Sequence, residues 1–309
     1  GCDLALSWQV AGRIDSPWIN STDADARLPP DYFSRLPRQR VAAVSWPYCH
    51  GPGDTPAETD ACERYELRLH HYVLGLAWAG SPYAFHTLGS CISVHVEHYA
   101  QVGGVPRRNG AEDFYLLNKL AKTGDVRQAN GECLRLQARS SDRVPFGTGP
   151  AIREITSDSD PDSRPMYYHP ATFAALRALL RSVPQLRVAD TAGLEALLAA
   201  SGCTGEVSVA AASALRTAGL DAGLDHCRSH STSETDFLRH FHQWFDGFRT
   251  LKFLHRVRDD GFEDLTLPAL AEAHPPFWPP LSGDAALPGE WLRAARQYLG
   301  WRCRDRGCW

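Results

Sequence analysis

Trp18-Ile-Asn-Ser-Thr-Asp-Ala-Asp-Ala-Arg-Leu-Pro-Pro-Asp-Tyr-Phe33 runs a short strand into an acidic turn. Trp18 to Thr22 reads as the strand, Asp23-Ala24-Asp25 ends it, and a proline-rich turn leads into a short helix. Carboxylates at i and i+2 of a strand end project to the same side. Hard oxygen donors in that arrangement suit Mg²⁺ or Mn²⁺, which bridge phosphate oxygens. The same residues also fit a solvated loop of turn-forming aspartates.

Outward from this stretch, Val41 to Trp46 and Glu132 to Ala138 read as further strands. In the latter, Leu134, Leu136 and Ala138 alternate with Cys133, Arg135 and Gln137, which predicts one buried and one wetter face. Helical spacing covers Cys2 to Val10, about Asp60 to Ala79, and Ser93 to Val102. A further helix begins near Glu112, with Phe114, Leu117, Leu120 and Ala121 on one face and Gly124 as its stop. Strands alternating with helices predict an α/β sheet domain over residues 1–165. Thr156 to Pro165 is polar and proline-containing and reads as a linker. Residues 166–309 read as an all-helical domain. Phe173, Leu176, Leu179, Leu180 and Val183 share one face; Leu194 to Leu198 and Val207 to Leu215 give two more helices. The longest is predicted from Ser231, with the capping-box residue Glu234, through Phe237, Phe241, Trp244, Phe248 and Leu251 to Gly261. His240, His242 and His255 lie beside this aromatic stripe, which reads as core packing rather than a metal site.

A second stretch, Gln101-Val-Gly-Gly-Val-Pro-Arg-Arg-Asn-Gly-Ala-Glu-Asp-Phe-Tyr-Leu-Leu117, places a glycine pair and a polar loop before Glu112-Asp113 at a helix start. Acids there complement the helix dipole without any chemistry. They also suit a carboxylate that takes a proton from a hydroxyl as a bond forms.

In order along the chain come the strand, Asp-Ala-Asp, Leu-Pro-Pro-Asp-Tyr-Phe, a long helix, and His86-Thr-Leu-Gly-Ser90. Then follow Tyr99-x-x-Val-Gly-Gly104, Glu112-Asp113 and Arg139-Ser-Ser-Asp-Arg-Val-Pro-Phe-Gly-Thr-Gly149. This order resembles the second half of a GT-A-type glycosyltransferase of the family-2 class, across roughly residues 1–150. The resemblance implies the C-terminal part of a Rossmann-like nucleotide-sugar transferase domain, inverting at the anomeric carbon. It implies Asp23 and Asp25 as ligands of Mn²⁺ or Mg²⁺, Asp113 as general base and Glu112 as its support. It further implies Arg139 and Arg143 as a clamp on the donor phosphates. His86, Gly89, Ser90, Gly103 and Gly104 would form the acceptor and sugar side. The partners implied are a nucleotide-diphosphate sugar and a carbohydrate or small hydroxyl acceptor. The base-reading half of such a domain would precede Asp23. Gly1 to Gly12 reads as the tail of the helix before the metal-site strand, so an N-terminally truncated domain is expected. Two other readings keep the same residues: a retaining GT-A transferase acting on a small acid, and a non-catalytic interaction protein built on the truncated sheet.

Composition narrows the classes. The 309 residues carry 32 Lys+Arg against 36 Asp+Glu, a net charge of −4, with no basic block, which argues against a nucleic-acid partner. With 43% hydrophobic and 22% charged residues the chain has the composition of a globular protein. No apolar run approaches the ~20 residues of a spanning helix. A cytoplasmic location is expected; Arg249, Lys252, Arg256 and Arg258 give a basic helix end that could meet a membrane surface but reads first as cations stabilising a helix C-terminus. The nine cysteines include no Cys-x-x-Cys pair and read as reduced thiols, with Cys303 and Cys308 spaced to pair or to bind metal.

Overall fold

The strands are β1 (Trp18–Ser21), β2 (Ala43–Ser45), β3 (Tyr48–His50), β4 (Ile92–His95), β5 (Val126–Gln128), β6 (Gly131–Glu132) and β7 (Leu134–Leu136); β1, β2, β4 and β5 each carry Ile or Val, which favour the extended form. The computed structural model describes residues 1–108, 110–138, 147–203 and 205–303. The chain divides into two compact units. One comprises Gly1–His70, Phe85–Ser163 and Trp278–Trp309; the other comprises His71–Ala84 and Arg164–Phe277.

The first unit is mixed α/β. Its main sheet has the order β1-β4-β2-β5. β4 is antiparallel to both β1 and β2, whereas β2 and β5 are parallel. The expected helix over Ser93 to Val102 is therefore corrected at its start. Ile92, Ser93 and Val94 are all buried inside the sheet, and the helix begins only at Val96. Burial on both faces favours the extended form of this branched run. The first unit also holds α1 (Cys2–Val10), α3 (Val96–Gln101), α4 (Glu112–Leu120), α5 (Thr148–Thr156) and α2 (Pro56–Ala79) as far as His70; the rest of α2 belongs to the second unit.

β7 pairs in parallel with β3. On its other edge, Arg135 forms a bridge with Arg27. Cys133 and Arg135 are consequently buried along with Leu134 and Leu136, so only Gln137 lies on the wetter face that alternation predicts. The core beneath joins Trp18, Tyr32, Val44, Trp46, Tyr48, Leu134 and Leu136. Full burial of such side chains contributes about 1.5–3 kcal/mol each. Ser93 is a polar hub inside it: its hydroxyl donates to Asn20 Oδ1 at 2.6 Å and accepts from Trp46 Nε1 at 2.8 Å. Tyr32, from the Leu-Pro-Pro-Asp-Tyr-Phe segment, reaches the same hydroxyl at 3.4 Å.

The second unit is helical: α6 (Pro170–Leu186), α7 (Leu194–Ala200), α8 (Gly205–Thr217), α9 (Leu220–Ser229), α10 (Glu234–Trp244), α11 (Gly247–Asp259) and α12 (Leu267–Ala273). The expected single helix from Ser231 to Gly261 is two helices. Ser233 caps the first and Asp246 caps the second, accepting from Phe248 N at 3.1 Å and Arg249 N at 3.0 Å. A buried aspartate that bonds two successive N–H groups fixes a helix start, so the earlier helix stops at Trp244. The chain then completes the first unit with α13 (Pro288–Tyr298) and β8 (Trp301–Arg302), the latter parallel to β6. No helix among the described residues is long and apolar enough to cross a membrane.

Candidate functional site

Two predicted site residues, Gly89 and Ser90, begin a one-turn 3-10 helix, Gly89–Cys91. Asp113, at the start of α4, is half-buried and accepts from Gly89 N at 2.9 Å and from Phe114 N at 2.7 Å. A Cβ at Gly89 would stand 3.4 Å from Asp113 Oδ2, an ordinary van der Waals contact, so the bond does not itself require glycine. Burial raises the Asp113 pKa above its ordinary value, and the adjacent Glu112 charge adds to it against the two backbone donors. Glu112 itself is exposed. From α2, Tyr65 lies beside this carboxylate. Burial raises its phenol pKa, the Asp113 charge adds to that, and its hydroxyl bonds Thr148 at the start of α5.

The other side of the same turn receives the acidic loop. β1 and β4 pair Ser21 with Ile92, so the residues that follow β1 run alongside the residues that precede β4. Asp23 and Asp25 are exposed in this loop, which closes through Ala26 N to Asp23 O at 3.1 Å. Reciprocal backbone bonds between Arg27 and Arg135, at 2.9 and 3.0 Å, pin the loop to β7. Asp23 is close enough to Cys91 that its charge adds to burial in pushing that thiol up. Asp113 thus bonds the first residue of a three-residue turn, the Asp23 charge reaches the thiol of its last, and Ser90, between Gly89 and Cys91 in the chain, is half-buried.

Asp23 and Asp25 are exposed carboxylates, the hard oxygen donors that Mg²⁺ and Mn²⁺ take. The donor chemistry at Asp23 and Asp25 fits such an ion. The remaining predicted residues are placed differently. His86 is 2% exposed, its Nδ1 lies 3.1 Å from Gln128 Oε1, and burial lowers its pKa to about 3, so it is neutral. Its ring packs against Tyr48, His70 and Trp301 inside the unit. Gly103 and Gly104, at φ +76° and +78°, close the C-terminus of α3, with Gly104 N bonded to Tyr99 O at 3.1 Å. Arg139 and Arg143 lie outside the described residues. His255 Nε2 lies 2.7 Å from the Tyr168 hydroxyl.

One constellation has no counterpart in the sequence reading. The sulfurs of Cys49, Cys133 and Cys303 all lie within 4.8 Å of one another. Beside them is a cavity of about 50 Å³, lined also by His50, Cys62, Glu66 and Arg296. Glu66 is buried and accepts from Arg296 Nη2 at 2.5 Å and from His50 N at 3.1 Å. Spacings of 84 and 170 residues carry no motif, so only pairing of the strands reveals the group. Compared with protein-family models, with curated proteins and with solved structures, the chain matches none.

Proposed function

We propose that this chain carries the acceptor-side and metal-side halves of a metal-dependent, inverting glycosyl-transfer site. The observation that supports the reading is that Asp113 bonds Gly89 while the Asp23 charge reaches Cys91, two residues on, at the end of the β1–β4 pairing. Asp23 and Asp25 would hold Mg²⁺ or Mn²⁺, which when bound offsets the donor diphosphate and the charge growing on the leaving oxygen. Asp113 takes the proton of the acceptor hydroxyl. The acceptor oxygen bonds the anomeric carbon, the bond from that carbon to phosphate breaks, and a nucleoside diphosphate departs. A base on the side opposite the leaving group gives inversion.

The local structure suits Asp113 to this task. Two backbone donors fix its orientation, and partial burial makes it a stronger base than an exposed carboxylate. Glu112 reinforces that basicity through its charge. The test is sugar transfer from nucleotide-sugar donors to hydroxyl acceptors in the presence of Mn²⁺. Asp113→Asn is expected to lower the rate about 10²–10⁴-fold while nucleoside diphosphate still binds with Mn²⁺. Asp23→Ala and Asp25→Ala are expected to weaken that Mn²⁺-dependent binding. Transfer by Asp113→Asn at the native rate would reject the assigned base, and a product of retained configuration would reject inversion.

A further inference from the structure

We propose that Cys49, Cys133 and Cys303 hold a Zn²⁺-class ion through three thiolates, with the fourth ligand position facing the adjoining cavity. This inference is independent of the transfer reaction and uses none of its residues.

Backbone pairing brings the three cysteines together. β6 and β8 pair Glu132 with Arg302, and Cys133 N donates to Arg302 O at 3.0 Å, so Cys133 runs beside Cys303. One residue later the chain switches partners. β7 pairs Leu134 with Tyr48 and Arg135 with Cys49, and Leu134 N donates to Pro47 O at 2.8 Å. Cys133 therefore stands at the junction of two parallel ladders, each of which delivers one further cysteine. The Cys133 and Cys303 sulfurs lie 2.8 Å apart, and the group spans at most 4.8 Å. A tetrahedral ion with Zn–S near 2.3 Å sets its sulfurs about 3.8 Å apart, inside the 4.8 Å within which all three lie and about 1 Å wider than the Cys133–Cys303 pair.

The surroundings suit an ion better than three thiols. A disulfide between two of the sulfurs would leave the third as an unneeded buried thiol, whereas one cation uses all three. Arg296 lines the same cavity, and its charge interacts with Cys303 and Cys49. Its Nε is buried with no hydrogen-bond partner among the described residues, although the guanidinium already bonds Glu66. That spare donor and positive charge complement three thiolates on a divalent ion, which keep one net negative charge. A cavity of about 50 Å³ is far below the ~300 Å³ of an ordinary substrate pocket but admits a water as fourth ligand. Thiolate donors select Zn²⁺-class ions over Mg²⁺ and Mn²⁺, so this site and the Asp23–Asp25 loop would not compete for metal.

Co²⁺ is the probe. The full untagged chain, stripped with a chelator in reducing buffer, is titrated with Co²⁺ and then with Zn²⁺. The expected result is saturation at one ion per chain, with thiolate-to-cobalt charge-transfer absorption and tetrahedral d–d bands that Zn²⁺ abolishes. Cys133→Ser and Cys303→Ser are expected to lose these bands, and Cys203→Ser, a buried thiol of the other unit, to keep them. Zinc-edge X-ray absorption on the unsubstituted chain covers the case in which a serine variant fails to fold. About three sulfurs near 2.3 Å are expected there. Absence of the cobalt bands in the unsubstituted chain, their survival in Cys133→Ser, or a zinc shell of nitrogen and oxygen alone would overturn the proposal.

Discussion

Asp113 gains its character from three neighbours that pull in different directions. Burial and the Glu112 charge disfavour its ionised form, while Gly89 N and Phe114 N stabilise that form, and the net effect is a raised pKa. A general base works only when deprotonated, so transfer should rise with pH as Asp113 ionises. For the proposed base, the acid limb of kcat/KM is therefore expected above the ordinary aspartate value. Glu112→Gln removes a charge that raises this pKa, so the limb should move to lower pH with the base still present. A limb left unmoved in a pH–rate comparison of the two proteins would separate Glu112 from the base. The pairing of Asp113 with Gly89 spans 24 residues, and no local pattern encodes it. The acidic helix start was legible as a dipole-complementing pair, but its partner, which sequence order assigned to the sugar side, emerges only from the fold.

Element boundaries were least legible where a side chain acts over a long range or as a cap. β1, α2 and α4 fall close to the ranges that the pattern predicts, because each has apolar residues that bury; α1 also falls where expected although none of its residues is buried. The stripe Phe237, Phe241, Trp244, Phe248, Leu251 keeps helical spacing across the break after Trp244, and so it conceals that break. Beyond the break the buried face is Thr250, Phe253, Leu254 and Val257, with Phe248 and Leu251 only partly covered. Asp246, buried at the junction, sets this new register. Asp246→Ala is expected to destabilise the chain by about 1–2 kcal/mol, read as a lower urea midpoint followed by helical circular dichroism. An unchanged midpoint would mean that packing alone fixes the junction. The basic residues toward the end of α11 are partly matched locally, Arg256 with Asp260 at 3.2 Å and Arg258 with Asp259 at 2.9 Å, which favours helix-end stabilisation over a lipid-facing patch.

At the scale of the molecule, the mixed α/β class of the first unit and the helical character of the second follow from where strand signals stop in the sequence. The return of α13 and β8 to the first unit did not, because a two-residue strand has no periodicity to detect and its pairing with β6 is a long-range event. That same return delivers Cys303 to Cys133. The Ser21–Ile92 pairing brings the chain that leads into the acidic loop alongside the turn whose first residue, Gly89, bonds Asp113, although 90 residues of sequence separate Asp23 from Asp113. The central claim is that these two acidic positions serve one cleft. An anomalous difference map from crystals of the full chain grown with Mn²⁺ and a nucleoside diphosphate tests it most directly. The expected result is a manganese peak on the Asp23 and Asp25 carboxylates, with the diphosphate lying along Gly89–Cys91 toward Asp113. Manganese and diphosphate bound away from that turn, or on a surface that Asp113 does not face, would contradict the account.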